Sequence, residues 1–315
     1  MALLIIGSER AEDFAAAARE ASGGFDIRVW PEAGDISDIR YALAWRPPMG
    51  ALATVPKLEL IVSVGAGVDH LLKDPTLPNV PVVRYVDPDL TNRMIGYVAS
   101  QVLHHQRRMC EAAEAQAARR WTYFPEPAAA EVRVGVMGLG EMGASALEAL
   151  KVFGYQLAGW SRTPHTMAGV ACFAGRDQLD AFLARTDILV CLLPLTAETR
   201  GIINRDLIRR LSRTGRHERL PGPVVINAGR GGQQVEADIL AALDAGELHA
   251  ASLDVFETEP LPATSRLWTH SRVVVTPHVA AESTPRAITR YLFRQIARHR
   301  DGKPLENVVD RARGY

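Results

Sequence analysis

Val132-Arg133-Val134-Gly135-Val136-Met137-Gly138-Leu139-Gly140-Glu141-Met142-Gly143 is the stretch that decides the fold. A short, mostly apolar run reads as a buried strand. It enters G-x-G-x-x-G, and Ala144 to Phe153 continues as a helix. Gly138 permits the turn, Gly140 lets backbone approach a pyrophosphate, and Gly143 lets the helix pack close to the strand. The helix start then offers free N–H groups and a positive dipole end. The plainer alternative is a ligand-free glycine turn, but strand and helix in register favour a dinucleotide. Gly138, Leu139, Gly140, Glu141, Met142 and Gly143 are therefore the first cofactor-binding candidates.

Outward from this motif, the same pattern repeats. Leu3–Ile6, Tyr41–Ala44, Leu60–Val64, Ile188–Leu193, Val224–Ile226 and Val273–Val275 are short continuous apolar runs. Such runs suit parallel strands covered on both faces. Helix-like stretches lie between many of them, as at Glu12–Glu20, Gln178–Ala184, Arg205–Leu211 and Ala237–Ala245. The fold class is α/β, with two Rossmann-like domains built on doubly wound parallel sheets. One long helix is expected from about Asn92 to Arg120, ended by Phe124-Pro125-Glu126-Pro127. The domains are expected at 1–88 plus 285–315, a discontinuous substrate domain, and at 89–284, the dinucleotide-binding domain.

Composition narrows the partners. Of 315 residues, 36 are Lys or Arg and 36 are Asp or Glu, so no global basic field draws the chain to nucleic acid or an anionic membrane. Cys110, Cys172 and Cys191 are too few and too scattered for a disulfide framework or a zinc set. No apolar run approaches the ~18 residues of a membrane span, and the opening run is too short for a secretory signal. A cytoplasmic protein with a small-molecule partner is expected.

After the strand Gln156–Trp160 come Ser161-Arg162-Thr163, where an NAD site usually carries an acid for the ribose hydroxyls. The missing acid and the added guanidinium favour NADP(H), with NAD(H) still possible. Gly65-Ala66-Gly67 follows another strand, and reads either as an anion-binding nest or as a tight turn. Trp45 and Arg84 are candidates for a pocket wall and a second anion contact; the plainer readings are core and surface charge. His104-His105 sit side by side on the long helix, cannot share one face, and read as surface or interface with no metal role.

Three late segments follow or end strands, where open α/β sheets place their ligands. They are Asn227-Ala228-Gly229-Arg230-Gly231-Gly232, Asp254-Val255-Phe256-Glu257-Thr258-Glu259-Pro260 and Thr276-Pro277-His278. Together with Pro194-Leu195-Thr196, Thr199 and Gly201-Ile202-Ile203-Asn204, they resemble the D-isomer-specific 2-hydroxyacid dehydrogenase family over essentially the whole chain. Tyr41-Ala42-Leu43-Ala44-Trp45, Gly159-Trp160-Ser161-Arg162-Thr163 and the closing Val309 to Tyr315 are most similar to a bacterial branch that reduces glyoxylate and hydroxypyruvate.

The resemblance implies a cofactor in the cleft between the domains and a homodimer built on the long helix. It implies His278 as proton donor, Glu259 holding its ring and favouring the imidazolium, and Arg230 gripping the substrate carboxylate. It adds Leu193, Pro194, Thr199, Ala228, Gly229, Asp254 and Ala280 to the cofactor contacts, with Arg230 and His278. The substrate contacts it implies are Trp45, Gly65, Ala66, Gly67, Arg84, Arg230 and His278. A different 2-keto acid, or a dinucleotide-sensing role without turnover, are the alternatives. Formate oxidation fits less well, because Glu259 stands where that branch carries an amide.

Overall fold

In a computed structural model, which describes every residue except Ser8, Glu9, Arg313 and Tyr315, the chain divides into two units. These are Met1–Leu90 with Ser283–Tyr315, and Thr91–Glu282. Two residues of the closing segment, Arg313 and Tyr315, lie outside the description.

The first unit opens with β1 (Ala2–Ile6), α1 (Ala11–Ala21), β2 (Asp26–Val29), β3 (Ile39–Ala44), β4 (Leu60–Ser63), α2 (Asp69–Leu72) and β5 (Val82–Val83). The sheet order is β2-β1-β3-β4-β5, with every pair parallel. β1 is buried along its whole length, as a strand covered on both faces must be. α1 buries Phe14, Ala15 and Ala18, one face of a 3.6-residue period.

The second unit carries the remaining strands. α3 (Pro88–Gln106) and α4 (Met109–Ala117) precede β6 (Arg133–Met137), α5 (Glu141–Leu150), β7 (Gln156–Ser161), β8 (Ala171–Ala174) and α6 (Leu179–Ala184). Then come β9 (Ile188–Cys191), α7 (Arg205–Arg210), β10 (Val224–Asn227), α8 (Glu236–Asp244), β11 (Ala250–Leu253) and β12 (Val273–Val275). The order β12-β11-β10-β9-β6-β7-β8 is all parallel and reverses direction between β6 and β9. That reversal is the topological switch point at which doubly wound sheets bind ligands. At the opposite end of these strands, Asp187 accepts from Arg133 Nε at 2.9 Å and from Ser212 Oγ at 2.5 Å, so the buried charge is paired.

The chain then returns to the first unit as α9 (Pro285–Arg300). Thr284 caps it by accepting from Ala287 N at 3.2 Å, with Pro285 in its first turn. Tyr291 on its buried face donates to Arg84 O at 2.9 Å.

One expected element is corrected. The single helix from Asn92 to Arg120 is two helices, because Arg108 has φ +57° and turns the chain between them. A left-handed non-glycine residue costs roughly 1–2 kcal/mol. Three contacts offset it: Arg108 Nε donates to Glu111 Oε1 at 2.9 Å, Nη1 reaches Pro125 O at 3.4 Å, and the guanidinium lies 5.2 Å from the Phe124 ring centre. The Pro125 and Phe124 contacts reach the segment beyond α4, so helix propensity alone gave no warning. Among the described residues, no helix is long and apolar enough to cross a membrane.

Candidate active site

The glycine loop connects β6 to α5 as the spacing predicts. Gly138 has φ +102°, and a Cβ there would lie 2.7 Å from Leu192 O. A Cβ on Gly143 would stand 1.8 Å from Gly138 O, so loop and helix start can touch only through glycine. Gly138 N donates to Trp160 O at 2.8 Å, which ties the loop to the end of β7. A Cβ on Gly140 would meet nothing within 4 Å. The loop is thus tight on its inner side and open at Gly140, at the start of α5. This arrangement fits a pyrophosphate.

At the end of β7, Ser161 is buried while Arg162 and Thr163 are exposed. Ser161 Oγ donates to Thr163 O at 2.6 Å, so its hydrogen is spent shaping the turn. At the end of β9, Thr199 Oγ1 accepts from Thr196 N at 2.8 Å and donates to Pro194 O at 2.7 Å, which closes the loop from Pro194 to Thr199.

β10, β11 and β12 end side by side, and there the catalytic candidates meet. Two glutamines that the sequence reading passed over sew these ends together. Gln233 accepts from Arg230 N at 2.9 Å and donates to Leu193 O at 2.6 Å. Gln234 accepts from Asn227 Nδ2 at 2.8 Å and donates to Val255 O at 2.9 Å. Both are buried, and no local pattern distinguishes them from solvated residues. Arg230 leaves this frame half-buried, with Nη1 donating to Gly229 O at 2.8 Å.

His278 donates from Nδ1 to Glu259 Oε2 at 2.9 Å. Their side chains are 29% and 17% exposed, so the pair is partly shielded yet reachable. Glu259 also accepts from Phe256 N at 3.1 Å through Oε1. His278 sits at φ +57°, an uncommon conformation for a non-glycine residue. Asp254 holds the loop in that shape. Its Oδ1 accepts from Thr276 Oγ1 at 2.6 Å and Val279 N at 2.9 Å, and its Oδ2 from Ala280 N at 2.9 Å. Thr276 Oγ1 in turn lies 3.0 Å from Tyr97 Oη on α3. Burial pushes the Tyr97 phenol well above its usual range, so it remains a neutral hydrogen-bonding group. Asp254 and Ala280 were expected only as cofactor contacts; the geometry gives both a part in holding the His278 loop.

In the first unit, Trp45, Gly65 and Arg84 follow β3, β4 and β5, three adjacent strands of one sheet. A Cβ on Gly65 would meet the Trp45 ring at 2.7 Å, so indole and glycine are in close contact. Trp45 is half-buried against His70, with ring centres 4.5 Å apart. Ala66 and Gly67 complete the loop and are partly exposed.

The reading of His104-His105 needs correction. His105 is buried, not on the surface, and its Nε2 lies 2.8 Å from Ser252 Oγ. Burial pushes its imidazole down to about 3, so it is neutral at neutral pH. The two rings stand 5.1 Å apart at 80°, and the turn at Arg108 brings Cys110 back beside them. Neighbours on a helix project about 100° apart, but long side chains can still converge.

The chain is similar to known proteins. The D-isomer specific 2-hydroxyacid dehydrogenase NAD binding domain matches residues 99–280. Glyoxylate/hydroxypyruvate reductase A of Escherichia fergusonii is 40% identical over 305 residues, covering 95% of each chain. The NADPH-dependent glyoxylate/hydroxypyruvate reductase of Sinorhizobium meliloti, solved with NADP and sulfate, is 44% identical over 100% of both chains with a TM-score of 0.93. A D-isomer specific 2-hydroxyacid dehydrogenase of Xanthobacter autotrophicus Py2, solved with NADPH and MES, is 41% identical, covers 100% of this chain and 99% of its own, and has a TM-score of 0.92. By the family match and these identities, this chain belongs to the D-isomer specific 2-hydroxyacid dehydrogenase family.

Proposed function

We propose that this protein reduces glyoxylate to glycolate and hydroxypyruvate to D-glycerate with NADPH. The observation that carries this reading is the 2.9 Å His278–Glu259 pair beside the strand end that bears Arg230, in the unit that holds the glycine loop. Relatives named for this activity match over nearly the whole chain.

NADPH, when bound, supplies the hydride to the carbonyl carbon. The chain's own residues do the rest. Glu259 occupies Nδ1 of His278, which leaves Nε2 to deliver a proton to the carbonyl oxygen. Arg230 pairs with the substrate carboxylate through its planar fork and polarises the carbonyl. Trp45, Gly65, Ala66, Gly67 and Arg84 make the remaining substrate contacts. Gly138 to Gly143 hold the pyrophosphate, and Arg162 and Thr163 the ribose 2′-phosphate, with Ser161 shaping the turn that presents them. Leu193, Pro194, Thr199, Ala228, Gly229, Asp254 and Ala280 complete the cofactor site.

Steady-state kinetics with NADPH and NADH against glyoxylate, hydroxypyruvate and pyruvate test the assignment. The highest kcat/KM is expected for NADPH with one of the first two substrates. No turnover despite NADPH binding would leave a dinucleotide sensor in its place. Arg162→Ala is expected to raise KM for NADPH roughly 10-fold or more, the worth of a charge-assisted hydrogen bond, and to leave kcat/KM with NADH unchanged. An equal effect on both cofactors excludes a 2′-phosphate contact at Arg162.

Glu259→Gln replaces the carboxylate that accepts from His278 Nδ1. kcat is expected to drop about 10–100-fold with little change in NADPH affinity. A variant with wild-type kcat separates Glu259 from the proton step.

We also assign the enzyme to the cytoplasm and propose a homodimer formed through α3 and α4. After α4, Trp121 and Tyr123 stand fully or almost fully exposed, apolar surface that a second copy would cover. Light scattering across a dilution series checks this; a monomer at micromolar concentration refutes it.

A further inference from the structure

Away from the His278 loop, the corner between α3 and α4 gathers the only three-residue set of ligating side chains among the described residues. His104 and His105 close α3, Arg108 turns the chain, and Cys110 opens α4. One ring nitrogen from each histidine and the Cys110 sulfur all lie within 4.8 Å of one another. His104 Nε2 is 3.4 Å from Cys110 Sγ. Nitrogen and sulfur bound at ~2.0 and ~2.3 Å to one ion stand roughly 3.5 Å apart, so this pair already has the spacing of shared coordination.

His105 is braced from behind. Ser252 Oγ donates its one hydrogen to Gln101 Oε1 at 2.7 Å, so its oxygen accepts from His105 Nε2–H at 2.8 Å. That bond fixes the tautomer and leaves the lone pair on Nδ1, the support that metal-bound imidazoles usually have.

Charge and coordination number choose the ion. The set supplies two neutral nitrogens and one thiolate. The adjacent carboxylate, Glu111, is already shared by Arg108 Nε at 2.9 Å, His249 Nε2 at 3.2 Å and Arg272 Nη1 at 3.3 Å. It has little left to offset a dication in a buried site, whereas a monovalent ion on one thiolate is neutral. Among the described residues no fourth His, Cys, Asp or Glu joins the group, which disfavours tetrahedral zinc, and thiolate softness suits Cu⁺.

We propose that His104, His105 and Cys110 form a three-coordinate site for a soft monovalent d10 cation, Cu⁺. Binding releases the Cys110 thiol proton to water and transfers no electron. The test is anaerobic titration of the full-length protein with Cu⁺ against a chromophoric chelator, with Zn²⁺ in a parallel arm. One equivalent of Cu⁺ is expected. Cys110→Ser should weaken binding at least about 100-fold, and Ser252→Ala, which removes the brace but no ligand, about 10-fold. X-ray absorption of the wild-type Cu⁺ complex should show one sulfur and two nitrogens, and needs no variant to fold. Wild-type affinity in Cys110→Ser, or an absorption spectrum without a sulfur ligand, overturns the site. Zn²⁺ displacing Cu⁺ at equal concentration overturns the choice of a monovalent ion.

Discussion

Changing His278 to Gln is expected to lower kcat for glyoxylate reduction by about 10²–10⁴-fold while NADPH affinity changes little. Glutamine keeps the length needed to reach Glu259 but has no proton to give. The loss should therefore fall on kcat, not on cofactor binding. Steady-state kinetics beside a titration of NADPH fluorescence separate the two. A variant that keeps a tenth or more of wild-type kcat assigns proton donation to another group. The geometry makes this test clean, because the backbone that carries His278 does not depend on its ring. Asp254 holds that backbone through Thr276, Val279 and Ala280, and Tyr97 braces Thr276 from α3.

The second large effect is expected from Gly143→Ala. The added methyl would stand 1.8 Å from Gly138 O, far inside van der Waals contact. Both partners are backbone, one in a turn tied to β7 and the other in the first turn of α5, so neither can swing aside. A destabilisation of about 3 kcal/mol is expected, the upper end for overpacking. For a unit of this size that lowers Tm by roughly 6–12 °C. NADPH affinity should fall with it, since the phosphate loop must open to admit the methyl group. Calorimetry with and without NADPH reads both. A Tm within 2 °C of wild type, at about the wild-type NADPH affinity, would mean that the loop is looser than its geometry.

The two variants probe different kinds of information. Gly143 was legible in the sequence because its constraint is local: strand, turn and helix follow one another, and the glycine spacing is part of that turn. The buried strands were legible for the same reason, since continuous apolar runs such as Leu3–Ile6 have only one place to go. Arg230, Glu259 and His278 were recognisable as a set only by resemblance; nothing in their separate segments says that Glu259 meets Nδ1 of His278. The break at Arg108 was not legible at all. Two of the three contacts that hold Arg108 there, Phe124 and Pro125, are met only after folding. His105 was misplaced on the surface because its partner, Ser252, comes from β11.

Local pattern in the sequence was enough for the parallel α/β architecture and for the glycine loop with its cofactor class, while the residues proposed for the chemistry came from family resemblance. Only the tertiary structure decided how those residues are held. It showed Gln233 and Gln234 sewing the strand ends together, Asp254 clamping the His278 loop, and the α3–α4 corner drawing two histidines to a cysteine. The physical reason is range. Periodicity and turn chemistry act between near neighbours in the chain, whereas a buried polar group must find its hydrogen-bond partner wherever the fold places one.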